Sequence, residues 1–319
     1  MLERLTAEEP QVVSPVLGSV TEPLADDDLQ LALYLCYELH YRGLRGVSPD
    51  WEWSPQLLEF RATLERAMQE TLFDEIGPPE PPIGDVGEIV FELVAGDDAP
   101  SLSRYIETTA SVDEVREFVV HRSAYQLKEA DPHSWAIPRL TGAPKAALVE
   151  VQADEYGGGD PARVHATLFA NTMDALGLDP SYGAYLGRLP GTTLATVNLM
   201  SMFGLHRRWR GAIVGHLAAF EVSSPGPNAR YAKGMRRLGF DSAVTDFFDE
   251  HVEADSVHEN IAAYDLAGGL AELEPELAAD IVFGVHALLL LDGRFAALLL
   301  DAWRDGASSL RGAEPLVPA

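Results

Sequence analysis

The chain is poor in cysteine and in positive charge, and both shortages exclude something. One cysteine, Cys36, stands among 319 residues, so no intrachain disulfide framework exists, and a cytoplasmic, reducing location is expected. Lysine and arginine number 23 against 50 aspartates and glutamates, a formal net charge of −27. A field of that sign repels phosphate backbones and anionic headgroups, which argues against nucleic acid and membrane as partners. The amino terminus, MLERLTAEEP, has no apolar targeting core, so no signal peptide is expected. Sustained period-two alternation is also missing, which argues against β-sheet. The one long apolar run, from Ile281, carries His286, Asp292 and Arg294 and reads as a buried bundle helix rather than a membrane span. DEYGGGDP lacks the lysine and the preceding strand of a phosphate loop.

What remains is helical. With 47% hydrophobic residues the chain can bury a large core, and nearly every longer segment has helical spacing, so the class is all-α. Pro10, Pro15 and Pro23 mark an N-terminal tail. Helices follow near 26–42 and from Ser54-Pro55, a cap followed by a first-turn proline. The run from Gly77 to Pro82, four of its six residues proline, is a stiff connector. It sets the expected boundary between a helical arm with connector, 1–100, and a core, 101–319. Helices near 86–94 and 101–109 precede Ser111, whose spacing to Glu114 predicts a capping box and a helix to about Ala130. Further helices are predicted near 143–155, 161–176, 191–221, 226–238, 242–270 and 275–305, a bundle of about seven core helices.

The chemistry concentrates in FFDEHVEADSVHE. His251, Asp255 and His258 lie four and seven residues apart, so they share one stripe over two helical turns. Two imidazoles with a carboxylate are a ligand type of non-heme iron sites, although a solvated acidic helix with incidental histidines has the same spelling. His165 sits just inside a helix expected to begin at Asp160-Pro161, and Glu155 stands ten residues earlier. An unbroken helix would hold those two about 15 Å apart. Gly157, Gly158 and Gly159 permit a bend that brings them together, or an ordinary turn. Glu221 ends an apolar helical stretch, where a carboxylate is paired, metal-bound or turned to water. Glu129, in YQLKEADPHSW, is a further carboxylate candidate. The basic island His206 to Arg210 could hold a substrate carboxylate through Arg207 and Arg210, or simply pair with surrounding acids. Tyr156, beside Glu155, is a third substrate-side candidate.

The ordered set Glu155, His165, Glu221, His251, Asp255 and His258 resembles the ligand pattern of the heme-oxygenase-like di-iron oxidases and oxygenases, the iron-containing redox enzymes. The stretches YQLKEADPHSWAIPRL, DEYGGG and LMSMFGLHRRWRGAIVGHLAAFE are similar to those of family members over roughly residues 110 to 305. Residues 1 to 100 match more loosely. The resemblance implies a heme-oxygenase-like bundle without heme, two irons held by those six residues, and O2 as co-substrate. Glu129 matches the position of an upstream carboxylate that joins the metals in some members. An external electron donor, a small-molecule substrate such as an amine, guanidine or amino-acid derivative, and a homodimer are also implied. A metal-free thiaminase-like or cofactorless oxidase on the same bundle, and a non-catalytic binding protein, are the competing readings.

Overall fold

Short polar signals start the helices of the N-terminal third. In the computed structural model, which describes residues 5, 6, 18, 20–312 and 316, Asp26 caps helix α1 (Asp27–Glu38) by accepting from the Leu29 amide at 2.8 Å. Ser54 precedes Pro55 at the first position of α2 (Pro55–Ile76). Asp85 and Ser101 cap α3 (Val86–Ala95) and α4 (Leu102–Thr108). Ser111 opens α5 (Val112–Gln126) through the predicted reciprocal box with Glu114. There follow α6 (Gly142–Glu155), α7 (His165–Ala175), α8 (Gly191–Leu205), α9 (Arg210–Ser223), α10 (Pro225–Arg237), α11 (Ser242–Asn260) and α12 (Ala278–Arg304). No strand occurs among the described residues, as the class read from the sequence requires. The tail prolines Pro10 and Pro15 lie outside the described residues.

Among the helix limits that differ from those expected, three have an identifiable cause. Helix α5 stops at Gln126 because Ala130 adopts φ 70°, a left-handed conformation that an interior helical residue cannot hold. The Ala130 carbonyl is held there by the Gln152 amide at 2.8 Å. Helix α7 starts at His165, not at Asp160: the Asp160 carboxylate accepts from Ala162 two residues on, forming a turn that postpones the helix. The stretch 191–221 is divided at His206, whose extended backbone separates α8 from α9.

Among the described residues a large apolar core joins both ends of the chain, beside a small second cluster of Leu5, Cys36, Leu39, Trp51 and Leu57. Leu29, Leu33, Leu64 and Met68, before the proline connector, and Val90, just after it, pack in the same cluster as Phe118, Phe203, Leu217, Phe247 and Leu288. Helix α12 is apolar and long enough to cross a membrane, but half of its most apolar stretch is buried against the protein. Its main partner is α9. That contact depends on absent side chains: a Cβ at Gly215 would overlap the Ile281 carbonyl, and one at Gly284 would overlap that of Ala212. Beyond Asn260, α11 widens into a π-helical stretch, Ile261–Gly268, that packs against α3, α6 and α9. Such wide turns are uncommon and recur at functional sites. Here it braces the helices that carry Glu155 and Glu221.

The α9–α12 seam yields a stability prediction. Alanine normally stabilises a helix interior by about 1 kcal/mol over glycine, but forcing a methyl group into a packed seam costs typically ~1–3 kcal/mol or more. Gly215→Ala is expected to lower the denaturation midpoint, whereas Gly226→Ala, which meets nothing within 4 Å, is expected to leave it unchanged or raise it. Equal midpoints for the two variants in a urea titration would contradict the seam.

Candidate metal centre

Five segments converge on one buried region. Glu155 ends α6, His165 begins α7, and Glu221 lies in the last turns of α9. Helix α11 presents His251, Asp255 and His258 from a single face, and Glu129 comes from the break after α5. All seven are at most 6% exposed. Their ligand atoms form two groups, each within 4.8 Å throughout: Glu129, Glu155, His165 and His251 in one, Glu155, Glu221, Asp255 and His258 in the other. Glu155 belongs to both.

Glycine makes the Glu155 to His165 approach possible. Gly157 has φ 75°, and a Cβ there would lie 2.7 Å from the Val164 amide nitrogen, so the chain doubles back at a distance no side chain tolerates. As a result His165 Nδ1 lies 2.9 Å from Glu155 Oε2. That short separation is not a hydrogen bond, since Nδ1 has no partner of suitable direction. Neither has His251 Nε2, His258 Nδ1, Glu129 Oε2 or either oxygen of Asp255. Buried polar atoms without partners cost roughly 1–3 kcal/mol each, and so many pointing into one region fit a bound cation. The donor set of imidazoles and carboxylates suits iron.

The histidines are also oriented from behind. His251 Nδ1 donates to the Phe247 carbonyl at 2.7 Å, which leaves Nε2 free toward Glu129 at 3.4 Å. His258 Nε2 lies 2.9 Å from Asp154, which leaves Nδ1 toward Glu221 at 3.5 Å and Asp255 at 3.8 Å. Outer hydrogen bonds of this kind fix the tautomer and direction of a metal-binding imidazole.

The buried groups of the cluster shift one another's proton affinities. Burial pushes the carboxyls of Glu155, Glu221 and Glu129 above the usual carboxylate range. Burial alone would lower His258, but the surrounding Asp255, Glu221 and Asp154 outweigh it and push the imidazole up to about 11. His251 is raised in the same contest, chiefly by Glu129. His165 goes the other way, to about 4, through burial and the neighbouring His251.

The three substrate-side residues expected from the sequence do not join this region. Arg210 pairs with Glu274 and opens α9, eleven residues and so about 16 Å from Glu221 near its far end; Arg207 is exposed in the short turn before that helix. Tyr156 donates to Asp131 at 2.9 Å and is 38% exposed. A basic island in an acidic chain finds acids, and the ion-pair alternative describes Arg210. Instead, a cavity of about 600 Å³ reaches His251, lined among others by Phe118, Arg122, Gln126, Phe247 and Asp292. Three contributors escaped the sequence reading. Asp154 is adjacent to Glu155, but neighbouring helical residues point about 100° apart, so nothing in the spacing ties it to His258. Arg122 and Gln126 were legible only as a stripe with Phe118 at four-residue spacing.

These features agree with the relatives of the chain. A family model described as "Iron-containing redox enzyme" matches residues 116–293. Nitrosourea synthase of Streptomyces achromogenes subsp. streptozoticus is 27% identical over 188 residues, which cover 58% of this chain and 40% of that protein. The chain thus matches well under half the length of that relative. Two crystal structures of a CADD-like protein of unknown function from Nostoc punctiforme PCC 73102 superpose with TM-scores of 0.53 and 0.54 at 16% identity. They cover 69% and 68% of this chain and 95% and 96% of their own, a likeness of fold that fits the heme-oxygenase-like bundle. Because the family match takes in more than half of the chain and all seven converging side chains, the chain belongs to the iron-containing redox enzymes.

Proposed function

We propose that the chain is a non-heme di-iron oxygenase or oxidase that uses O2 and an external electron donor to oxidise a small molecule, an amine, guanidine or amino-acid derivative. The observation that carries this reading is the pair of ligand groups joined through Glu155. Four carboxylates, Glu129, Glu155, Glu221 and Asp255, are buried with three imidazoles, and four ionised carboxylates are balanced by two divalent cations. One cation would leave two negative charges buried without compensation, which is costly. Nitrogen chemistry is supported by the printed name of the curated relative, nitrosourea synthase.

Glu129, His165 and His251 would hold one ion and Glu221, Asp255 and His258 the other, and Glu155, which belongs to both groups, would serve either. When bound, ferrous iron supplies the electrons and open coordination positions that amino-acid side chains lack. The chain itself does the rest. Phe247 and Asp154 hold the His251 and His258 rings in a binding orientation, and Phe247 and Phe220 wall the region from bulk water. Protons carried by His251, His258 and the raised carboxyls leave when cations enter.

Oxygen uptake tests the function. Loaded anaerobically with two equivalents of ferrous iron, the chain is expected to consume O2 faster than ferrous iron alone in the same buffer; uptake at the free-iron rate would sink the proposal. Variants separate the two positions: His251→Ala and His258→Ala are each expected to retain one ferrous ion, and Glu155→Gln to weaken both, as read by equilibrium dialysis. Asp154→Asn is expected to lower affinity at the His258 position about 10-fold or more and to leave the other unchanged.

Proton release sets the pH dependence. His251 and His258, held cationic in the metal-free chain, and Glu155 and Glu221, held protonated by burial, must be deprotonated to bind. Ferrous affinity is therefore expected to rise with pH from about 6 upward, first through the raised carboxyls and further toward about 11 through His258, with protons released on binding. Calorimetry in two buffers of different ionisation heat measures the release, and a pH-independent affinity would contradict the protonated cluster.

A further inference from the structure

The cavity that reaches His251 has a second polar locus at a distance from the ligand groups. Helix α5 presents Phe118, Arg122 and Gln126 to it at four-residue spacing, and α12 presents Asp292 and Phe295. Arg122 faces Asp292 across 3.8 Å, beyond hydrogen-bond length. The two charges therefore face each other without closing, and their side chains remain 21% and 33% accessible. Arg122 is held in place from the side: its guanidinium lies 4.6 Å from the ring centre of Phe295 and 5.8 Å from that of Phe118, so it is positioned before any ligand arrives. One turn further along α5, about 6 Å by helical rise, Gln126 is 8% exposed and its Oε1 is buried without a partner. A buried, unpartnered amide oxygen lining a cavity awaits a donor. Beyond it the walls are aromatic, Phe220 and Phe247 among them, as far as His251.

The geometry points to a recognition site for the zwitterionic head of an α-amino acid, with Arg122 taking the carboxylate, Asp292 the ammonium and Gln126 Oε1 a further N–H, the side chain running along the aromatic wall toward His251. An α-amino acid carries its two opposite charges on groups attached to one carbon, so it matches a pair of fixed charges standing as close as Arg122 and Asp292. Arginine suits the carboxylate because its planar fork offers two parallel donors. A plain carboxylate would leave Asp292 beside an apolar ligand surface, and a plain amine would do the same to Arg122. Only a ligand with both signs satisfies both walls. In a chain with net charge −27 an arginine directed into a cavity stands against the prevailing field, which helps admit an anionic group. This inference rests on the oxygenase reading for what happens at the His251 end, but not for the head.

Three six-carbon probes of equal reach decide it: L-norleucine, hexanoate and hexylamine, titrated calorimetrically into the full-length metal-free chain. L-norleucine is expected to bind at least 10-fold more tightly than either of the others. Arg122→Gln is expected to weaken norleucine and hexanoate and so remove the advantage of norleucine over hexylamine, and Asp292→Asn to weaken norleucine and hexylamine and so remove its advantage over hexanoate. Hexanoate or hexylamine binding as tightly as L-norleucine, or no norleucine binding, would overturn the site. Should a variant unfold, the wild-type ranking of the three probes decides alone. Ferrous titration of the same protein is read separately, so loss of the head site with intact iron binding rejects this inference and spares the oxygenase reading, and the converse result does the opposite.

Discussion

Burying four carboxylates within reach of three imidazoles is the constraint around which the rest of this protein is arranged. Each carboxylate taken from water costs several kcal/mol unless it is paired, and the available protein partners do not pair them all: both Asp255 oxygens and Glu129 Oε2 are left without hydrogen bonds. The metal-free chain meets the cost by keeping protons where solvent-exposed groups would not. Cations would meet it better, and the joint membership of Glu155 in the two groups is what the proposal of a pair of ions rests on.

The bundle holds this unfavourable cluster in place with contacts of unusual closeness. Gly215 and Gly284 bring α9 against α12, so the helix carrying Glu221 is fixed by backbone proximity rather than by adaptable side chains. Gly157 folds α7 back against α6. On the other side of the cluster, the wholly buried Lys128 pairs with Glu38 at 3.0 Å and lies 4.4 Å from the ring centres of both Tyr34 and Tyr41. That anchors the residue before Glu129 to α1, and the left-handed Ala130 directly after Glu129 completes a sharply defined break. Strained backbone beside a candidate ligand is the kind of feature that functional sites retain. The same rigidity leaves the 600 Å³ cavity with pre-set charges at one locus and a pre-set ligand face at another.

Much of this was legible in the sequence, unevenly. Local rules worked where local physics decides: the Ser111 capping box, the Ser54-Pro55 start and the stripe of His251, Asp255 and His258 all follow from spacing along one helix. The meeting of Glu155 and His165 was visible only as a permission, since three glycines allow a reversal without requiring one. The end of α5 at Gln126 was not visible, because what breaks the helix is a tertiary hydrogen bond from Gln152 to Ala130. For the same reason the partner of the basic island was not visible: Arg210 reads as a carboxylate binder, and the carboxylate it pairs with is Glu274 of the same chain. Arg122, single and unremarkable in a polar helical run, acquires meaning only when Asp292, far away in sequence, is placed opposite it.

The central claim is that two cations share Glu155. Anomalous diffraction at the iron edge, from crystals grown anaerobically with excess ferrous iron, tests it directly. Two peaks are predicted, one among Glu129, His165 and His251 and one among Glu221, Asp255 and His258, with Glu155 in contact with both. A single peak, or iron bound only at the acidic surface, would contradict the account.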